Sequence, residues 1–165
     1  MGYVAWDHDS SATSGTIEIA KSTDGGISWS GPTPIAGINA FAFEPAIAVD
    51  KHGTVGVIWY DHRNDRSGDV PLTTDVWFAH SRDSGGSWRQ THVAGPFDLR
   101  AAPSPTGFPR LGEYQGLAAL RRGFAAIFTQ AVPQAKDGPT DILFARIAPG
   151  HDDDEAVAQD GDAGR

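Results

Sequence analysis

The sequence predicts an all-β chain built from repeated four-stranded antiparallel meanders. Three observations predict it. The octapeptide Ser22-Thr23-Asp24-Gly25-Gly26-Ile27-Ser28-Trp29 returns 59 residues later as Ser81-Arg82-Asp83-Ser84-Gly85-Gly86-Ser87-Trp88, and self-similarity at such a period marks a repeat architecture. An aromatic strand motif recurs as Val4-Ala5-Trp6-Asp7, Val57-Ile58-Trp59-Tyr60 and Ala126-Ile127-Phe128-Thr129. The 20 Gly and 11 Pro among 165 residues supply turns in the number that many short strands require.

Each repeat resolves into the same elements in order. A small apolar run comes first: Glu44-Pro45-Ala46-Ile47-Ala48-Val49 in the second unit, Glu113-Tyr114-Gln115-Gly116-Leu117-Ala118-Ala119 in the third. Such a run suits an inner strand buried on both sides. A Gly-containing turn follows, Lys51-His52-Gly53-Thr54 or Arg121-Arg122-Gly123, and then the aromatic strand. Glu44 and Glu113, like Trp59 and Phe128, stand 69 residues apart, so the two units align without gaps. A polar loop leads to a third strand: Ile17-Glu18-Ile19-Ala20, Val76-Trp77-Phe78-Ala79 or Ile142-Leu143-Phe144-Ala145. A small residue holds the same slot in all three. The octapeptide then turns the chain into an outer strand, Arg89–Val93 in the middle unit. Its glycines take φ > 0 at little steric cost. Its Asp folds back onto backbone N–H groups, and Trp29 and Trp88 offer apolar faces for burial.

The two octapeptides resemble Asp-boxes, the Ser-x-Asp-x-Gly-x-x-Trp turns of the bacterial neuraminidase repeat family, which are sialidase-like β-propellers. The matching residues are Ser22, Asp24, Gly26 and Trp29, and Ser81, Asp83, Gly85 and Trp88. The resemblance implies that the units are propeller blades and that Asp24 and Asp83 shape turns on the face away from any active site. Residues 1–150 then form a partial propeller. Blade one spans 3–35 and lacks its first strand, blade two spans 43–96, and blade three spans 110–148 without an Asp-box. The total is about two and two-thirds blades of a six-bladed ring. The remaining blades are expected from a longer parent, or from self-association that completes the ring. The family also implies a secreted or cell-surface parent and a glycan as partner. In the parent it implies either sialidase-like glycoside hydrolysis or glycan binding. A non-catalytic extracellular scaffold or protein-binding module is the alternative, because fold does not fix function.

Charge and composition narrow the classes. The net charge of -8 is concentrated at one end, since residues 151–165 carry six of the 21 acids and one of the 13 bases. The other 150 residues hold 15 acids and 12 bases. The last 15 residues read as a solvated acidic tail. Without a basic surplus, nucleic acid is not an expected partner. The chain has no Cys, so disulfides and thiolate metal sites are excluded. No run approaches transmembrane length, and Met1-Gly2-Tyr3-Val4 opens no signal-peptide pattern. No cofactor is expected.

Candidate chemistry is sought where inner strands begin and the second-to-third loops emerge. An anionic sugar calls for Arg forks, and Arg63, Arg66 and Arg110 lie in such segments. Sialidases clamp the sugar carboxylate with three Arg and use an Asp acid/base and a Tyr activated by a Glu, an exception to the paired-carboxylate rule. By that resemblance Asp61, Tyr114 and Glu113 are the catalytic candidates, with Glu44 a further ligand candidate as the counterpart of Glu113. Neighbours on a strand point to opposite faces, which sets Glu113 and Tyr114 apart. The family's Phe/Tyr-Arg-Ile-Pro motif is missing, either because it lies upstream or because the protein is not a sialidase. The resemblance implies catalytic groups that converge from most of the ring, so this chain alone is not expected to hydrolyse glycosides. Asp61 with Arg63 also reads as a local salt-bridged turn. Trp6, Trp59 and Trp77 read as core between blades. His8 and His62 occupy matching slots, with Asp9 nearby, but no third ligand stands at a set spacing, and no metal is expected.

Overall fold

The computed structural model describes residues 1–11, 14–35, 37–38, 40–66, 72–105, 107, 109–112, 114–133, 138–148 and 157–159. They form an all-β structure of three antiparallel sheets. Sheet one contains β1 (Gly2–Ser11), β2 (Ser14–Ser22) and β3 (Thr33–Pro34) in that order. Sheet two contains β4 (Ala42–Val49), β5 (Val55–Asp61), β6 (Thr73–Ser81) and β7 (Arg89–Asp98). Sheet three contains β8 (Gly116–Ala119), β9 (Phe124–Ala131), β10 (Thr140–Ile147) and β11 (Val157–Gln159). Neighbours in each sheet are neighbours in sequence, so every sheet is a meander. A single 3-10 turn, Leu99–Ala101, follows β7. No helix among the described residues is long and apolar enough to cross a membrane.

Strand alternation builds two cores, one on each face of sheet two. Val55, Val57 and Trp59 of β5, with Ala79 of β6, pack against Ile17 and Ile19 of sheet one. Ile58, Tyr60, Val76 and Phe78 point the other way, onto Phe124, Ala126, Phe128, Ala145 and Ile147 of sheet three. Trp59 is fully buried, as its core assignment anticipates. Sheets two and three approach closely at Gly56. A Cβ there would lie 2.7 Å from the Phe124 ring and 2.9 Å from Phe78. The Tyr60 hydroxyl reaches across, donating to the Thr129 carbonyl (2.8 Å) and accepting from the Thr129 N–H (3.0 Å). Burial pushes its pKa up.

Both octapeptides close through one hydrogen-bond pattern. In the first, the Ser22 hydroxyl donates to Asp24 (2.7 Å) and accepts from the Gly26 N–H (2.8 Å), while Asp24 accepts from the Ser28 N–H (3.0 Å). The second repeats it with Ser81, Asp83, Gly85 and Ser87 at 2.7, 2.8 and 2.8 Å. The hydroxyls of Ser28 and Ser87, first among these donors, hold both Asp carboxyls far below the usual carboxylate range. Both aspartates are thus committed to their turns.

Three details differ from the sequence reading. The inner strands are not buried on both sides: β4 is half-buried along most of its length, and β8 largely exposed. An inner strand has a sheet neighbour on one edge only. Trp88 packs on the core, but Trp29 is 45% exposed. The second octapeptide lies against Ile19 of sheet one, whose Cδ1 sits 3.0 Å from the Cβ position of Gly85. The third unit does not end at 148. Val157–Gln159, within the span read as a solvated tail, pair with Arg146–Phe144 as its fourth strand. An Ala-flanked Val between acidic runs still offers backbone to an open edge.

Candidate functional site

The strand ends divide the molecule into two faces. One carries the octapeptides and the tight turns before β5 and β9. The other carries the β5–β6 connection, the start of β4 and the segment before β8. The second is where the sequence placed its candidate chemistry.

Asp61 ends β5 with its side chain wholly buried. It accepts from Trp59 Nε1 (3.0 Å), from the Arg63 backbone N–H (3.1 Å) and from the Arg63 guanidinium (2.6 and 2.8 Å). Arg63 also donates to Gln90 (2.8 Å), and its guanidinium carbon lies 3.9 Å over the Trp77 ring. A two-residue spacing across the strand end lets one side chain fold over its neighbour. The result is the salt-bridged turn. The Arg63 fork is filled from within, and it covers Trp77, which packs against the core between sheets one and two.

A second buried carboxylate lies beside this pair. Asp75 opposes Asp61 across β5 and β6. It accepts from Asn64 (2.9 Å) and contacts His92 Nε2 at 2.7 Å. His62 stacks with Phe41, centroids 5.8 Å apart, and contacts Thr74 Oγ1 at 3.1 Å. Burial lowers its pKa. His8 lies apart, 3.7 Å from Glu18. Among the described residues no three His, Asp or Glu side chains are grouped to hold a metal.

The other candidates scatter. Arg66 and Arg110 are exposed. Tyr114 is 82% exposed, and Glu113 lies outside the described residues. Glu44 lines a cavity. It adopts a left-handed backbone (φ 51°), uncommon for a residue with a Cβ. It lines a groove of about 310 Å³ with Ala5, Trp6, Asp7, Pro45 and Gln115, where β1, β4 and the approach to β8 converge. Both polar atoms of the Gln115 amide are enclosed and make no hydrogen bond to protein. Two carboxylates and one amide therefore border one groove, while the Trp6 side chain lies on the face of β1 opposite Ala5 and Asp7. That set accepts and donates hydrogen bonds. It carries the wrong sign for an anionic sugar.

Two features escaped the sequence reading. Gln115 has no repeat counterpart to single it out; its signal was adjacency to Glu113 and Tyr114. The second feature is a cleft of about 440 Å³ on the octapeptide face, lined by His52, Arg82, Arg121 and Arg122 with Asp50. Its three arginines come from two turns, Arg82 from the second octapeptide and Arg121 and Arg122 from the turn before β9, which are far apart in sequence. In comparisons with known proteins, no family model and no curated protein matches the sequence.

Proposed function

We propose that this chain is part of an Asp-box β-propeller of the sialidase-like kind, and that it binds glycan in the groove at its inner strands without hydrolysing it. The groove of Trp6, Asp7, Glu44 and Gln115 carries this reading. Carboxylates accept hydrogen bonds from sugar hydroxyls, and the amide both accepts and donates them. The acidic border favours a neutral sugar over a sialic acid. Hydrolysis is disfavoured because Arg63 is occupied by Asp61, Gln90 and Trp77, and Tyr114 stands in solvent. Repeat sheets in series, with matching turns at one end, support the propeller reading.

The test is titration of the chain with neutral oligosaccharides and with a sialoside, observed by tryptophan fluorescence and by release from a fluorogenic sialoside. Binding of a neutral sugar that is weakened at least tenfold by Gln115→Ala, without sialoside turnover, is the expected result. Turnover of the sialoside, or binding indifferent to both Gln115→Ala and Glu44→Ala, refutes it. A protein-binding scaffold is the second reading, favoured by the apolar residues Ile142 and Phe144 exposed on sheet three.

A further inference from the structure

The octapeptide face gathers positive charge in one place. The chain as a whole is acidic, with 21 Asp and Glu against 13 Lys and Arg. Yet the cleft of about 440 Å³ where turns of sheets two and three meet is lined by Arg82, Arg121, Arg122 and His52, against Asp50. Three guanidiniums and one carboxylate leave two positive charges in surplus. Asp50 is also occupied by its own turn, its Oδ1 accepting from the backbone N–H groups of His52 and Thr54 (both 2.8 Å). Among the described residues, Arg121 and Arg122 have no ion-pair partner.

The turns that carry these groups are fixed. The Asp50 N–H donates to the Thr54 carbonyl (2.9 Å), and the Gly53 N–H to the Asp50 carbonyl (3.0 Å). In the other turn the Leu120 N–H donates to the Gly123 carbonyl (2.9 Å). Gly123 has φ 79°, and a Cβ there would collide with the Ile147 carbonyl oxygen. Arg121 and Arg122 therefore ride on a turn seated against the end of β10. His80, two residues before Arg82, is 6% exposed, and its Nδ1 has no hydrogen-bond partner. Burial, and then the charges of Arg82 and Arg89, push its pKa down. The positive field around Arg82 thus reaches a buried imidazole.

We propose that this cleft binds the tetrahedral oxyanion of a phosphate or sulfate monoester carried on a small molecule. Arg forks pair with such groups in two-point fashion. A carboxylate presents two oxygens in one plane, enough for one fork. An ester oxyanion presents three in different directions, which suits arginines that arrive from two turns. The volume of about 440 Å³ lies in the range of small-molecule sites, roughly 300–1,000 Å³, so there is room for the carrier as well as the charged group. The cleft stands at the opposite end of β4 from the Glu44 groove, and its occupant is independent of whether sugar binds there.

Phenyl phosphate, phenyl sulfate and benzoate, whose carrier has no hydroxyls for the sugar groove, are titrated into the isotope-labelled chain and followed by NMR. Salt is held at about 0.15 M, where charges more than roughly 8 Å apart are largely screened. The expected result is saturable shifts at the His52, Arg82 and Arg122 amides, with at least one ester binding at least tenfold more tightly than benzoate. The His80 pKa rises when that ester is bound. Arg82→Gln and Arg122→Gln, both at exposed positions, each weaken binding at least tenfold with the β circular dichroism unchanged; Arg121→Gln serves should either misfold. Arg122→Lys, which keeps the charge and loses the fork, also weakens it. Gln115→Ala, on the other face, does not. Tighter binding of phenyl phosphate assigns the site to phosphate esters, and of phenyl sulfate to sulfate esters. Benzoate bound as tightly as both esters, affinity unchanged in both Arg82→Gln and Arg122→Gln, or no saturable shift at the highest soluble ester concentration overturns the proposal.

Discussion

Removing the Arg63 side chain tests whether the end of β5 is a buried network or a surface ornament. Arg63→Ala leaves the Asp61 carboxylate with 0% side-chain exposure, still accepting from Trp59 Nε1 and one backbone N–H. Breaking a buried ion pair by deleting one partner costs about 3–5 kcal/mol. The Arg63 side chain is 21% exposed, so water replaces part of what is lost and the low end applies, about 3 kcal/mol. That figure includes the stacking on Trp77, worth on the order of 1 kcal/mol. Domains of this size hold only about 5–15 kcal/mol in all. With a urea slope of roughly 2 kcal/mol/M, the midpoint falls by about 1.5 M. Asp61→Asn keeps an acceptor for Trp59 and costs less. Because the two residues touch, the double variant destabilises by at least about 1 kcal/mol less than the sum of the singles. A loss below about 1 kcal/mol for Arg63→Ala, the range of exposed ion pairs, refutes the network. So does a double-variant cost equal to the sum.

Gly56→Ala introduces a Cβ into the Phe124 and Phe78 rings and is expected to cost about 1–3 kcal/mol as overpacking, read as a lowered thermal midpoint. The His62 pKa is depressed by burial from an ordinary 6.5, so below pH 6.5 the unfolded chain takes up the proton first and stability falls as pH falls. His62→Phe is expected to flatten the urea midpoint against pH below 6.5 relative to the unmodified chain; an unchanged slope excludes His62 as the source. Asp24 and Asp83 are depressed from 3.8, so their contribution is present above that pH and is lost as pH falls through their folded values. Ser81→Ala removes the acceptor for the Gly85 N–H, and amide exchange at Gly85 is expected to accelerate while the Gly26 amide is unaffected.

The repeating parts of the fold were legible because they are local. Two Ser, an Asp and a Gly within seven residues contain the turn's hydrogen bonds, and the alternation Val76-Trp77-Phe78-Ala79 assigns each residue a face. The shared slot of Ala20, Ala79 and Ala145 located the third strands correctly before any contact was known. What stayed hidden depends on residues far apart. The exposure of Trp29 depends on how sheet one ends, and the basic cleft draws Arg82 and Arg121 from turns of different sheets. β11 is three residues long with no hydrophobic alternation, so only the open edge of β10 identifies it. Of the candidate site, Glu44 lines the groove, whereas Arg63 is held by a partner two residues back. Both outcomes were contained in one short segment each. The groove itself was not, since Asp7, Glu44 and Gln115 come together only after three sheets have packed.

Tyr60 and Thr129 occupy the same slot in consecutive units, 69 residues apart. Packed sheets lie about 10 Å from one another, too far for main chain to bond main chain. The phenol spans that gap and pairs with both the carbonyl and the N–H of its own counterpart, as a strand residue does with a neighbouring strand. One side chain thereby stands in for a peptide group and sets the phase of one unit against the next. Apolar faces alone tolerate a slip along the strand axis; a donor and an acceptor aimed at a single residue do not. The slot holds Asp7 in sheet one, so this indexing device belongs to one joint of the series and not to the repeat as a whole.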